Sequence, residues 1–189
     1  MNDKETRTFD IKGLEVRDTA SDDFIGQIGG YAVVFNEPSQ NLGGFIERVD
    51  PNAFDDVDFS DVVALYDHNF ANVLGRTSAN TLQLEIDKKG LRFSLNIPNT
   101  TVGKDVYTNI RAGNLQGMSF GFTVDADDWD RGADQTPERV IEKIGALYEV
   151  SVVTMPAYQD TTVNVTRALE NLKQSEVKAK ALAVLTTYE

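Results

Sequence analysis

Cysteine is absent from the chain, which excludes disulfides, thiol nucleophiles and thiolate metal sites. Histidine is almost absent: His68 stands alone among 189 residues, so any imidazole chemistry near neutral pH falls to that one side chain. Positive charge is scarce as well, with 18 Lys and Arg against 30 Asp and Glu and a formal net charge of -12. Phosphate backbones are bound by clustered positive charge, and the densest basic set is only Lys173, Lys178 and Lys180. Nucleic acid and anionic membrane are therefore poor partners. No stretch approaches the roughly 18 apolar residues that span a bilayer. Met1 to Arg17 lacks the apolar centre and small-residue cleavage site of a secretory signal, so a cytosolic protein is expected.

What is present is the composition of an ordinary globular protein, 41% hydrophobic and 25% charged, long enough for one core but not needing two. Apolar and polar residues alternate with period two over most of the first 155 positions, which predicts a mainly β protein. Phe24 to Phe35 reads as a strand stopped at Asn36-Glu37-Pro38, Gly43 to Val49 as a shorter one, and Val62 to Tyr66 as another that delivers Asp67-His68-Asn69 at its end. Leu82, Leu84 and Ile86, then Leu91, Phe93, Leu95 and Ile97, alternate around Asp87-Lys88-Lys89-Gly90 and predict a hairpin. Val102, Val106 and Ile110 predict a short helix over 101–112, with Gly113 and Asn114 as stop signals. Leu115 to Val124 and Val140 to Thr154 return to strand, and the acidic stretch Asp125 to Glu138 reads as a surface loop. Residues 1–165 are expected to form one domain, followed by a helical tail over 166–189.

Gly117-Met118-Ser119-Phe120-Gly121 fits G-x-S-x-G, whose familiar meaning is a nucleophile on a strand-to-helix turn. Here the order of residues contradicts that meaning, because the sole histidine precedes the serine and no helix follows it. As a straight strand, Met118, Phe120 and Phe122 point to one face and Gly117, Ser119 and Gly121 to the other. The serine then stands on a bare surface that a substrate backbone can approach, though the same pattern suits a glycine-rich strand packed under a neighbouring chain. A serine nucleophile needs a base near neutrality, and His68 is the one imidazole that could serve. Its alternative is an ordinary surface or hydrogen-bonded histidine. Glu149 is the one carboxylate in the apolar run Leu147 to Met155, on the Leu147, Ser151, Val153 face, where burial demands a partner. That partner could be an imidazolium or an arginine. Asp67 is a weaker candidate to orient the imidazole, since its side chain is expected on the opposite face from that of His68.

Four ordered segments, Gly30-Tyr-Ala-Val-Val-Phe35, Leu65-Tyr-Asp-His-Asn69, Leu115-Gln-Gly-Met-Ser-Phe-Gly-Phe122 and Leu147-Tyr-Glu-Val-Ser-Val-Val-Thr-Met-Pro-Ala157, together resemble the phage prohead protease family. That family is similar in fold and catalysis to the herpesvirus assemblins. The resemblance implies a closed or nearly closed antiparallel β-barrel with short surrounding helices. It also implies a serine endopeptidase in which Ser119 is the nucleophile, His68 the base and Glu149 the third member. No cofactor or metal is implied. The implied substrates and partners are scaffold protein and the scaffold-like extension of the major capsid protein, cut inside the procapsid in the cytoplasm of an infected bacterial host, with self-processing and, by analogy, a homodimer. The loop near Pro156, Ala157 and Tyr158 is where such enzymes build the oxyanion hole; no arginine lies there, and Arg167 is too distant. A non-catalytic capsid-assembly or scaffold-binding module is the competing reading. A metal-dependent hydrolase fares worse, since Asp55-Asp56-Val57-Asp58 and Asp125-Ala126-Asp127-Asp128 lack the spacing of a calcium loop.

Overall fold

The computed structural model of the chain describes residues 3–10, 14–18, 21–131 and 136–154. The strands are β1 (Glu5–Asp10), β2 (Glu15–Arg17), β3 (Phe24–Val34), β4 (Ile46–Val49), β5 (Val63–Tyr66), β6 (Asn69–Arg76), β7 (Leu82–Ile86), β8 (Gly90–Pro98), β9 (Gly117–Arg131) and β10 (Pro137–Val153); the helix is α1 (Thr101–Arg111). Among the described residues no helix is long and apolar enough to cross a membrane. The proposed tail from 166 and the stretch Pro156 to Tyr158 lie outside the described residues.

Local chemistry explains the clearest elements. Leu91, Phe93, Leu95 and Ile97 are all buried along β8, and the β7–β8 turn is tied by the Asp87 carboxylate, which accepts from the amides of Lys89 and Gly90 at 2.7 and 3.1 Å. Thr100 caps α1 by accepting from the Gly103 amide, the role a threonine hydroxyl performs at a helix start. Val106, Tyr107 and Ile110 are buried on one face of α1, and Gly113, with φ of +76°, ends it in the left-handed region.

The strands form two sheets. The first has the order β1-β9-β10-β5-β6, with β4 also paired to β10; the second has the order β2-β3-β8-β7. One core joins them, with Ile28, Phe93 and Leu95 from the second sheet and Met118, Phe120, Phe122 and Val150 from the first. Among the described residues the strands do not close into a barrel: β1 and β6 are edges of one sheet, β2 and β7 of the other. The expected antiparallel barrel with short surrounding helices is thus corrected to two open sheets and a single described helix. The first sheet is also mixed, since β4 and β5 both run parallel to β10. Alternation says which residues share a face and is silent on which strands become neighbours.

The acidic stretch read as a loop is corrected too. β9 continues to Arg131 and β10 begins at Pro137, because the polar side chains there are partnered. Trp129 packs on Phe45 with ring centroids 5.1 Å apart, and Asp127 accepts from Arg139 Nε at 2.6 Å.

Arg139 belongs to a buried cluster of charges that fixes β1 against the sheet. Arg7 Nε and Nη2 donate to the two oxygens of Glu47 at 2.7 and 2.9 Å. Arg139 Nη1 donates to Glu47 and Glu5 at 2.9 and 2.8 Å, and Arg7 Nη2 reaches Glu5 at 2.5 Å. Two guanidiniums and three carboxylates therefore join β1, β4, β9 and β10. Burial by itself would raise the pKa of Glu5, but the hydrogen bond from Arg139 and the charges of Arg7 and Arg139 outweigh it and hold the carboxyl below its usual value.

Two outcomes are expected. Arg139→Met leaves buried carboxylates uncompensated and costs about 3–5 kcal/mol in urea unfolding. Because the folded pKa of Glu5 is depressed, its contribution is present above the unfolded value of 4.5 and is lost as pH falls through the lower folded one. The urea midpoint of the native chain should then fall more steeply with acid than that of Glu5→Gln.

Candidate active site

Ser119 sits near the start of β9, with Thr8 of β1 opposite it on one side and Ser151 of β10 on the other. Directly opposed residues share a face, so Thr8, Ser119 and Ser151 project to the same side of the sheet. Met118, Phe120 and Phe122 fill the core on the other side. The expected face separation along this segment therefore holds, but the expected bare surface does not. Ser119 is fully buried, and its hydroxyl donates to the main-chain carbonyl of Arg7 at 2.9 Å. Nor is the space beside Gly121 empty. A Cβ there would lie 2.5 Å from Glu149 Oε1 and 2.6 Å from Lys4 Cε, so the missing side chain makes room for this chain's own groups.

Glu149 reaches that space through a β-bulge. Leu147 pairs with Phe122 and Glu149 with Gly121, which leaves Tyr148 as the extra residue. A single inserted residue shifts the alternation by one. Leu147, Val150 and Val152 thus align with Phe122, Phe120 and Met118 on the core side, and Glu149 and Ser151 align with Gly121 and Ser119. The expected placement of Glu149 on the same face as Leu147 is corrected by this bulge. Unbroken alternation from Leu147 through Tyr148 would instead point the carboxylate into the core.

His68 approaches from the far side of β10. β5 and β6 pair with Tyr66 opposite Asn69, which leaves Asp67 and His68 as a two-residue turn. Their φ angles are +55° and +57°, as a type I′ hairpin turn requires and as Asn-Gly would adopt with less strain. The Asp67 amide donates to the Val152 carbonyl at 2.9 Å, pinning the turn to β10. The Asp67 side chain is exposed and takes no part in the cluster.

The structure brings His68 and Glu149 together: Nδ1 lies 2.8 Å from Oε1. A carboxylate only accepts, so Nδ1 is the donor in this contact and Nε2 faces away from the pair. Glu149 is wholly buried while the His68 side chain is 33% exposed, which leaves the imidazole open on one side. The second oxygen, Oε2, accepts from the Ser151 hydroxyl at 2.5 Å. Lys4 Nζ lies 3.8 Å from Oε1 and over the rings of Phe70 and Tyr148. Among the described residues no hydrogen bond joins Ser119 to His68, and no three His, Asp or Glu side chains converge as metal ligands. Ser151 was missed in the sequence, although a serine two places after Glu149 in an apolar strand was a legible signal. Nothing in the sequence pointed to Lys4.

Deleting Tyr148 removes the extra residue but still leaves Leu147 opposite Phe122 and Glu149 opposite Gly121, so Glu149 should stay on the Ser119 face and the deletion variant, like Tyr148→Ala, should be soluble. A deletion variant that is insoluble while Tyr148→Ala folds would remove Tyr148 as the inserted residue.

The family model described as caudovirus prohead serine protease matches residues 12–175. The prohead protease of Escherichia phage T5 is 26% identical over 122 residues, which is 65% of this chain and 54% of that protein. The chain thus spans about half the length of this curated relative. Among solved structures, that of the bacteriophage T4 capsid assembly protease aligns with a TM-score of 0.48 and 9% identity, covering 80% of this chain and 99% of that one.

Proposed function

Because the chain belongs to the caudovirus prohead serine protease family, we propose that it is a serine endopeptidase of procapsid maturation, with Ser119 as nucleophile, His68 as general base and Glu149 as the group that orients the imidazole. The observation that carries the reading is the 2.8 Å contact between His68 Nδ1 and the fully buried Glu149, on the same sheet face as Ser119. An imidazole held by its Nδ1–H presents Nε2 as a base.

In the proposed reaction the Ser119 hydroxyl leaves the Arg7 carbonyl and donates to His68 Nε2. As Oγ bonds to the carbonyl carbon of the scissile peptide, its proton passes to Nε2. The imidazolium, stabilised by Glu149, then returns that proton to the departing amine, leaving an acyl-serine. A water molecule, deprotonated by the same nitrogen, hydrolyses the ester and restores the hydroxyl. The proposed substrates are the scaffold protein or the scaffold-like extension of the major capsid protein, cut within the procapsid. Self-processing and a homodimeric state belong to the same proposal and are carried by the resemblance alone.

One observation favours the competing reading of a non-catalytic capsid-assembly module: Ser119 has no solvent exposure. Co-expression with the cognate capsid protein separates the two. The native chain should yield capsid or scaffold fragments on a gel, and Ser119→Ala should yield none, since loss of a triad nucleophile lowers turnover by about a millionfold. Fragments that persist with Ser119→Ala would remove it as nucleophile. Glu149→Gln should retain weak cleavage, as it keeps the volume while disturbing the tautomer.

A further inference from the structure

Beside Glu149 the proposed triad leaves a buried polar group without a role. Ser151 is fully buried in an otherwise apolar stretch of β10, two residues beyond Glu149 and directly opposite Ser119. Its hydroxyl donates to Glu149 Oε2 at 2.5 Å, while the other oxygen, Oε1, meets His68 at 2.8 Å. The two contacts divide the carboxylate cleanly, one oxygen to each partner.

We propose that Ser151 is a positioning residue for the proteolytic reaction: its hydroxyl fixes the rotation of the Glu149 carboxylate, and that fixed carboxylate holds His68 in the Nδ1–H form. The inference rests on the reading of Ser119, His68 and Glu149 as the reacting set. A carboxylate bound through one oxygen can rotate about its last side-chain bond, because terminal sp3–sp2 torsions have broad wells. Binding the second oxygen removes that freedom. No other described side chain hydrogen-bonds to Oε2, and the ammonium of Lys4 lies on the Oε1 side at 3.8 Å. The hydroxyl therefore does what an alanine of nearly equal volume cannot.

His68 being the only histidine makes the test direct. Labelling histidine with 15N gives the spectrum of one imidazole, and its two nitrogen shifts report the tautomer. In mildly alkaline buffer the native chain should show a single Nδ1–H tautomer. Ser151→Ala should show a mixture of both, and its rate of labelling by a fluorophosphonate probe should fall roughly ten- to a hundredfold, the effect of losing a hydrogen bond to a charged group. Thr and Val have nearly the same shape, so comparing Ser151→Thr with Ser151→Val isolates the hydroxyl from any packing effect. The Thr variant should keep the single tautomer and most of the labelling rate, and the Val variant neither.

A native tautomer and labelling rate in Ser151→Ala would overturn the proposal. So would equal impairment of the Thr and Val variants, which would assign Ser151 to packing. Labelling that persists in Ser119→Ala would instead overturn the nucleophile, while the tautomer comparison would still decide the role of Ser151.

Discussion

A carboxylate with no contact with solvent is expensive to fold around, and the Glu149 side chain, wholly buried, sets the terms for everything beside it. An unpaired charge in that position would cost several kcal/mol. Each of its neighbours answers that demand. The bulge at Tyr148 aims the side chain, Gly121 leaves it room, and Ser151 and His68 occupy its two oxygens. The imidazole is supplied at a price in backbone strain: Asp67 and His68 both sit at positive φ, where residues other than glycine lose on the order of 1 kcal/mol each. A hydrogen bond to a charged group contributes about 1.5–3 kcal/mol, so the pair can offset the turn that delivers it.

The second constraint acts through β1. The buried cluster of Arg7, Arg139, Glu5 and Glu47 locks this edge strand beside β9, and in doing so it places the Arg7 carbonyl against the Ser119 hydroxyl. That contact is a neutral hydrogen bond with a net value near 1 kcal/mol. Exchanging it for one to His68 is therefore a small fraction of the barrier to peptide hydrolysis that a serine protease lowers. The larger requirement is access, since a peptide carbonyl must reach a hydroxyl that is covered in this state.

Much of this was legible in the sequence, for physical reasons that also mark the limits. The hairpin of β7 and β8 and the helix α1 follow from local periodicity and capping. The separation of Ser119 from Met118, Phe120 and Phe122 follows from the two-residue period of a strand. His68 stood out because it had no competitor. Three other features depend on contacts distant in sequence. Glu149 changed faces because a bulge inserts one residue, which alternation cannot foresee. Asp125 to Glu138 reads as a loop from its acidic composition, whereas the part up to Arg131 is strand because Asp127 finds Arg139 and the backbone pairs with β10. The closed or nearly closed antiparallel barrel expected from the family resemblance is not closed among the described residues, which form a mainly β fold of two sheets, because register and neighbour choice lie outside local pattern. The strands β1 and β6, which frame the site, carried no clear local signal.

The central claim, that Ser119 is the nucleophile within this cluster, is tested most directly by locating a covalent adduct. The native protein is treated with a fluorophosphonate, digested and sequenced by mass spectrometry. An adduct on the peptide containing Ser119, absent after Glu149→Ala removes the carboxylate that orients His68, is the predicted result. An adduct confined to another serine, or equal modification of Ser119 with and without Glu149, would contradict it.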